Sequence, residues 1–287
     1  MNDLYIILTG SLVAVSCSLL GTFLVLRKMA MVGDAISHAV LPGIVLSYFI
    51  TGSRDSIWML IGAGLMGVAT TLIIEWLHKK TKLQEDASIG VTFTFLFALG
   101  VLLISYFAEN IDLDQECVLY GEIAYVPLDT ILLGSLEIPK AIVMLSVLLI
   151  LIIAIILFFY KEWLITTFDS AYAASLGMST LIWNYLLMSM VSFTTVASFE
   201  SVGAILVVAF LVVPASAAYL ITDSLPRTLT LAVAFGILSA ISGYLFASHY
   251  DVSISGSMAA AAGVIFAICF VGKVLSTKYR VRSTQTS

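Results

Sequence analysis

Residues 141–160 read AIVMLSVLLILIIAIILFFY, twenty positions without a charge or a proline, bounded by Lys140 on one side and by Lys161 and Glu162 on the other. A helix needs about 20 consecutive apolar residues to cross the hydrocarbon core of a bilayer. A surface helix of a water-soluble protein would carry a polar stripe, and this stretch has none. The remainder of the chain follows the same pattern. Segments of comparable character lie at roughly 4–26, 34–52, 57–77, 88–108, 180–199, 201–221, 227–248 and 257–276, giving nine spans with 140–160. The second is short and holds Asp34, His38 and Pro42, and the sixth and seventh are expected to be joined by a tight polar turn near Glu200.

Composition excludes most other readings. Of 287 residues 61% are hydrophobic and 11% charged, with a mean hydropathy of +1.09. A soluble domain carries about 25% charged residues, so lipid must solvate most of this exterior. The net charge of −5 comes with no basic patch of the kind that nucleic acid requires. The three cysteines, Cys17, Cys117 and Cys269, form no disulfide framework. The N-terminal apolar run is too long for a signal peptide and has no preceding positive charge, so it reads as the first span. The expected organisation is a transmembrane domain over 1–276 and a cytoplasmic tail over 277–287.

Positive charge sets the orientation. With the N-terminus outside, Arg27, Lys28, Lys79, Lys80, Lys82, Lys161, Arg227, Lys273, Lys278, Arg280 and Arg282 fall on the cytoplasmic side. Only Arg54 and Lys140 fall outside. An odd number of spans then leaves the C-terminus in the cytoplasm. Eight or ten spans depend on the stretch 113–138, which has room for a short re-entrant or interfacial helix.

Two loops stand out. The external loop of residues 108–140 contains Glu109, Asp112, Asp114, Glu116, Glu122, Asp129 and Glu137 against the single Lys140. It reads either as a surface that docks a partner or attracts cations, or as a solvated loop avoiding positive charge. The internal loop, YKEWLITTFDSAYAASLGMST at 160–180, predicts one short helix from Trp163 to Leu176. Asp169 would cap its second turn and Gly177 would end it. Such a helix lying across the cytoplasmic face could receive force from an ATPase, or serve as an interfacial anchor.

An ionisable residue inside a membrane is costly and is a functional candidate by default. The segment GDAISHAVLPG, residues 33–43, places Asp34 and His38 at i, i+4. Both therefore lie on one helix face, about 6 Å apart along the axis. A carboxylate oxygen and an imidazole nitrogen form a mixed donor set for Mn²⁺, Fe²⁺ or Zn²⁺; a structural ion pair is the alternative. Asp34 stands in the first turn, where the helix dipole favours negative charge. Pro42 and Gly43 can interrupt the helix, as transport sites near the midplane often require. Two ligands do not complete a shell; Glu200, His249 and Asp251 are further candidates, and the spacing selects none of them. His78, beside Lys79 and Lys80, reads as an interfacial residue.

Enzymatic readings fail on motifs. The chain has neither H-E-x-x-H nor the phosphate loop G-x-x-x-x-G-K-[ST]. An intramembrane aspartyl protease needs two aspartates within spans, and Asp251 falls in a loop. Gly62, Gly64 and Gly67 spell G-x-G-x-x-G, but inside an apolar span with no preceding strand. They predict close helix packing, not a dinucleotide site.

Four stretches resemble the membrane permeases of ABC importers for manganese, iron and zinc: LRKMAMVGDAISHAVLPGIVLSY (26–48), ECVLYGEIAYVPLD (116–129), TTFDSAYAASLGMS (166–179) and SVGAILVVAFLVVPASAAYLITD (201–223). The resemblance implies an all-α polytopic fold of the type II importer permease, related to cobalamin and siderophore permeases. It implies a pair of permease subunits around a central path, two cytoplasmic ATP-binding subunits, and an extracytoplasmic metal-binding protein that delivers the ion. It makes Asp34 and His38 the metal-contacting pair, and the segment with Phe168, Asp169, Ala173 and Gly177 the coupling helix. It implies no permanently bound cofactor, only a transported divalent metal. The forms GDAISHAVLPG and ECVLYGEI resemble manganese and iron members more than zinc members. A proton-coupled secondary metal transporter, or an importer of siderophore or cobalamin, are the competing readings.

Overall fold

The computed structural model describes residues 2–51, 56–81, 83–107, 123–133 and 136–285. Its helices are α1 (Asn2–Leu26), α2 (Met31–Ala39), α3 (Leu41–Thr51), α4 (Ser56–Lys80) and α5 (Glu85–Phe107). A 3₁₀ turn (Ile123–Leu128) and two strands, β1 (Thr130–Leu133) and β2 (Leu136–Pro139), follow. Then come α6 (Lys140–Phe158), α7 (Tyr160–Phe168), α8 (Ser170–Ser175), α9 (Thr180–Val202), α10 (Ala204–Ile221), α11 (Leu225–Tyr250) and α12 (Ile254–Gln285). Among the described residues, nine segments are long and apolar enough to cross a membrane, with α2 and α3 together forming one, Met31–Thr51. The nine agree with those read from hydropathy.

α1 is the central post. It packs on α6, α9, α10 and α11, while α12 covers α10 and α11; α2, α3, α4 and α5 form a second group, joined to the first through α9. The core is therefore built on α1, where Val13, Ala14, Cys17, Leu20 and Phe23 are fully buried. Hydroxyls inside these helices are mostly satisfied by their own backbone. Thr22 donates to the Ser18 carbonyl (2.7 Å), Thr92 to Ser88 (2.8 Å) and Thr195 to Val191 (2.9 Å), as a polar group must do where water is absent.

The glycine motif packs as expected. A Cβ on Gly62 would meet the Gly43 carbonyl of α3 at 2.7 Å, and one on Gly67 would overlap Ser192 of α9. Ser192 Oγ donates to the Gly64 carbonyl (2.9 Å). Gly67→Val is thus expected to separate α4 from α9 and to destabilise the bundle by about 1–3 kcal/mol, the usual cost of overpacking. A lowered melting temperature of the purified chain would register it; an unchanged one would refute the contact.

Two expectations need correction. The sixth and seventh spans do not part at a polar turn near Glu200. α9 runs on to Val202, and the chain turns at Gly203, whose φ of +81° lies where only glycine is unstrained. The segment Trp163–Leu176 is not one helix. Asp169 adopts extended angles (φ −145°, ψ 85°) and its carboxylate accepts from the Tyr172 N–H at 2.8 Å, capping the separate helix α8. The described part of 113–138 holds the short 3₁₀ helix and an antiparallel strand pair with Leu133 opposite Leu136, and residues 113–122 lie outside the described residues. The hairpin is tied down by Tyr5, whose hydroxyl donates to the Glu137 carbonyl (3.3 Å). Glu109, Asp112, Asp114, Glu116, Cys117 and Glu122 lie outside the described residues.

Candidate functional site

α2 begins after a sharp backbone break and runs on almost directly into α3. Before it, α1 ends in a Schellman motif: Lys28 takes φ +62°, its N–H bonds the Val25 carbonyl (3.0 Å), and the Met29 N–H bonds Leu24 (2.9 Å). After it, the helix closes at Val40, whose N–H still bonds Ile36 (3.1 Å). Pro42 has no N–H to offer the His38 carbonyl. The Gly43 N–H instead reaches Val40 (2.9 Å), tightening the joint before α3. The interruption anticipated from Pro42 and Gly43 is slight: Val40 keeps helical angles (φ −69°, ψ −27°), and α2 and α3 continue as one span, Met31–Thr51.

On this nine-residue helix Asp34 Oδ1 and His38 Nε2 stand 3.7 Å apart. That is beyond hydrogen-bond length, and leaves each group free to meet a third atom. Both side chains are part-exposed, 39% for Asp34 and 36% for His38, while Val32, Ala35, Ile36 and Ala39 are buried on the other side. The imidazole lies between two rings of α5, Phe93 (centroids 5.8 Å apart) and Phe97 (5.7 Å). Phe93 and Phe97 repeat the i, i+4 spacing of Asp34 and His38, so one face of α5 matches one face of α2. A small cavity of about 20 Å³ lies against His38, lined also by Ser37, Leu41, Phe97, Phe199 and Ala204, room for a water. Both side chains of the pair keep more than a third of their surface exposed.

The other predicted ligands do not join the pair. Among the described residues no three His, Cys, Asp or Glu side chains converge on a metal-sized site. Glu200 borders a cavity of about 230 Å³ with Asp129, Lys140 and Tyr125 at the hairpin end of the bundle. His249 packs edge-on against Tyr250 (4.9 Å), and Asp251 closes α11 with φ +54°.

At the opposite, basic end lie the residues read as the coupling segment. Phe168, Tyr172 and Leu176 are exposed, Ala173 is buried, and Gly177 (φ +77°) ends α8 by a second Schellman motif, with Met178 N–H on the Ala173 carbonyl (3.0 Å). Arg27, read from sequence only as an orienting charge, is structurally central. Its Nε donates to Thr167 (3.1 Å) and its Nη2 to Thr166 (3.2 Å), both on α7; its Nη1 donates to Asn184 of α9 (3.2 Å). All three acceptors are neutral, and burial pushes the guanidinium down to about 10, still charged at neutral pH. Beside it Trp163, fully buried, meets Phe23 of α1 edge-on at 4.8 Å. No short-range signal announced either contact: the partners are some 140 residues away.

The sequence profile of the ABC 3 transport family matches residues 4–273. The chain belongs to that family. Its relatives are similar along most of its length. The manganese transport system membrane protein MntD of Bacillus subtilis is 50% identical over 99% of this chain and 97% of its own. The zinc transport system membrane protein TroD of Treponema pallidum is 41% identical over 93% of this chain and 72% of its own. Among solved structures, PsaBC from Streptococcus pneumoniae in complex with Fab superposes with a TM-score of 0.76 at 31% identity, covering 93% of this chain and 90% of that one. An inward-facing metal-chelate type ABC transporter shares the fold, with a TM-score of 0.63 at 16% identity over 94% and 85%. This member of the ABC 3 family is therefore a multi-pass permease of the ABC importer fold.

Proposed function

We propose that the chain is the permease subunit of an ATP-driven importer of Mn²⁺, with Asp34 and His38 as the groups that contact the ion in transit. The observation that carries this reading is the part-exposed Asp34–His38 pair, 3.7 Å apart, on the short helix that follows the left-handed turn at Lys28. Two such pairs, one from each of two permease subunits, would supply two carboxylates and two imidazoles to one central path. This accounts for the exposure of both side chains. Hard oxygen beside borderline nitrogen suits Mn²⁺ or Fe²⁺, and the half-identical Bacillus subtilis relative is a manganese protein by name. Zn²⁺ is the second reading, favoured by the name of the Treponema pallidum relative.

The basic end then faces the cytoplasm by the positive-inside rule, with the N-terminus outside, residues 277–287 as an internal tail, and the bacterial plasma membrane as the location. Cytoplasmic ATP-binding subunits would dock on α8, using Phe168, Tyr172 and Leu176, with Asp169, Ala173 and Gly177 fixing its shape. ATP hydrolysis belongs to those subunits. An extracytoplasmic metal-binding protein would hand the ion to the hairpin end. The test is uptake of Mn²⁺, Fe²⁺ and Zn²⁺ in competition, in vesicles holding this chain with its ATPase and binding protein. ATP-dependent uptake of Mn²⁺ that Zn²⁺ fails to displace supports manganese; preferential Zn²⁺ uptake replaces it with the second reading. Uptake that persists without the ATPase overturns the mechanism.

Gly177 offers a further expectation. Gly177→Val forces a β-branched residue to φ +77°, where L side chains are strained by about 1–2 kcal/mol. Attachment of the ATPase should weaken by about tenfold in pull-down titrations, while the permease alone keeps its melting temperature. Unchanged attachment would remove α8 from the interface.

A further inference from the structure

A cavity of about 200 Å³ opens at the basic end between α2, α4 and α9, lined by Met29, Val32, Glu75, His78, Asn184 and Tyr185 among others. We infer that this cavity is a second divalent-cation site, on the cytoplasmic side and off the transport path, through which accumulated metal slows its own import. The inference rests on the reading of the chain as a metal importer.

Four observations carry it. Glu75 buries one carboxylate oxygen, Oε2, and its carboxylate meets the Tyr185 hydroxyl of the cavity wall. One turn on, His78 Nδ1–H donates to the Leu83 carbonyl (3.2 Å), which leaves Nε2 as the free acceptor. Metal-binding histidines are commonly fixed through the other ring nitrogen in this way. A cation already occupies the carboxylate: the Lys79 ammonium sits 2.5 Å from Glu75 Oε1. Lys79 is half-exposed at 53%, so its flexible chain can swing away and a divalent ion can take its place. Finally, Asn184 supplies an amide oxygen at the cavity wall. Carboxylate, imidazole and amide, completed by water, form the same class of donor set as the Asp34–His38 pair.

The cavity is not a continuation of that pair. At 3.6 residues per turn, Asp34 and His38 lie about 200° and 240° around α2 from Val32, and Val32 is the residue of α2 that lines the cavity. An ion here reports cytoplasmic concentration and does not sit in the queue for transport. Its effect reaches the coupling segment through one shared atom. Asn184 Oδ1 accepts from Arg27, and Arg27 also holds Thr166 and Thr167. A divalent ion beside Asn184 repels the guanidinium and competes for its acceptor, which loosens α7 from α1.

The experiment titrates Mn²⁺ into the purified, nucleotide-free permease–ATPase complex and follows the free-ion signal by electron paramagnetic resonance. The expected result is a class of site that survives Asp34→Ala and is lost in Glu75→Gln/His78→Ala. Lys79→Ala should tighten that class by about fivefold, the strength of an exposed ion pair removed from competition; a purely structural Glu75–Lys79 pair would show no such gain. Reconstituted complexes should then import more slowly as cytoplasmic-face Mn²⁺ rises, and Glu75→Gln/His78→Ala should abolish that slowing. Binding unchanged in Glu75→Gln/His78→Ala, or no tightening in Lys79→Ala, overturns the site. Binding with no slowing of import overturns its regulatory role. Absence of import in every vesicle, with the binding class intact, would instead count against the importer reading.

Discussion

Uptake of Mn²⁺ is expected to vanish in both Asp34→Ala and His38→Ala, while the permease still assembles and melts normally. The loss of a group that only orients a metal ligand costs about 10- to 100-fold in affinity or activity, so loss of a ligand itself should cost at least about a hundredfold. Stability is spared because neither side chain belongs to the core: Asp34 is 39% and His38 36% exposed, and their mutual distance of 3.7 Å contributes no hydrogen bond. Asp34→Asn keeps the shape and removes the charge, and should lose uptake as completely. Radiolabelled Mn²⁺ accumulation, read beside the melting temperature, separates the two effects. Normal uptake in both alanine variants would sink the assignment.

The second large effect is expected at Arg27. Arg27→Ala should reduce uptake by about tenfold or more while the ATPase subunits continue to hydrolyse ATP. The guanidinium joins the end of α1 to Thr166 and Thr167 of α7 and to Asn184 of α9, and α7 leads directly into α8. Hydrogen bonds to charged groups contribute about 1.5–3 kcal/mol each, and some 1.4 kcal/mol of lost positional preference already shifts an equilibrium tenfold. Arg27→Lys keeps the charge but not the planar fork that reaches three acceptors, and should fall between the two. The charge stays on at working pH, because burial lowers it only to about 10. Hydrolysis and uptake lost together, with the complex dispersed, would make Arg27 a structural residue and not part of the coupling.

Apolar runs made the spans legible, and the spacing of Asp34 and His38 made their shared face legible, because both are local properties of a helix. Local chemistry also foretold the end at Gly177. Four features escaped. Asp169 has the side chain of a helix cap, but whether it caps an old helix or begins a new one is decided by the extended backbone at that residue. Glu200 drew the expected turn three residues too early, because a single charge in an apolar run marks a boundary more visibly than the glycine at 203 on which the backbone turns. Phe93 and Phe97 look like any lipid-facing aromatics until α5 is laid against α2. Arg27 reads as no more than an orienting charge, because its partners Thr166, Thr167 and Asn184 come from helices far along the chain.

The left-handed turn at Lys28 (φ +62°) carries one more consequence. The helix that follows stays helical through Val40 (φ −69°, ψ −27°) and continues into α3 as one span. Carboxylate and imidazole therefore ride on a single stiff lever whose one sharp bend lies at its near end. Any tilt of that lever carries both groups as one body, so their spacing is kept while their heading changes.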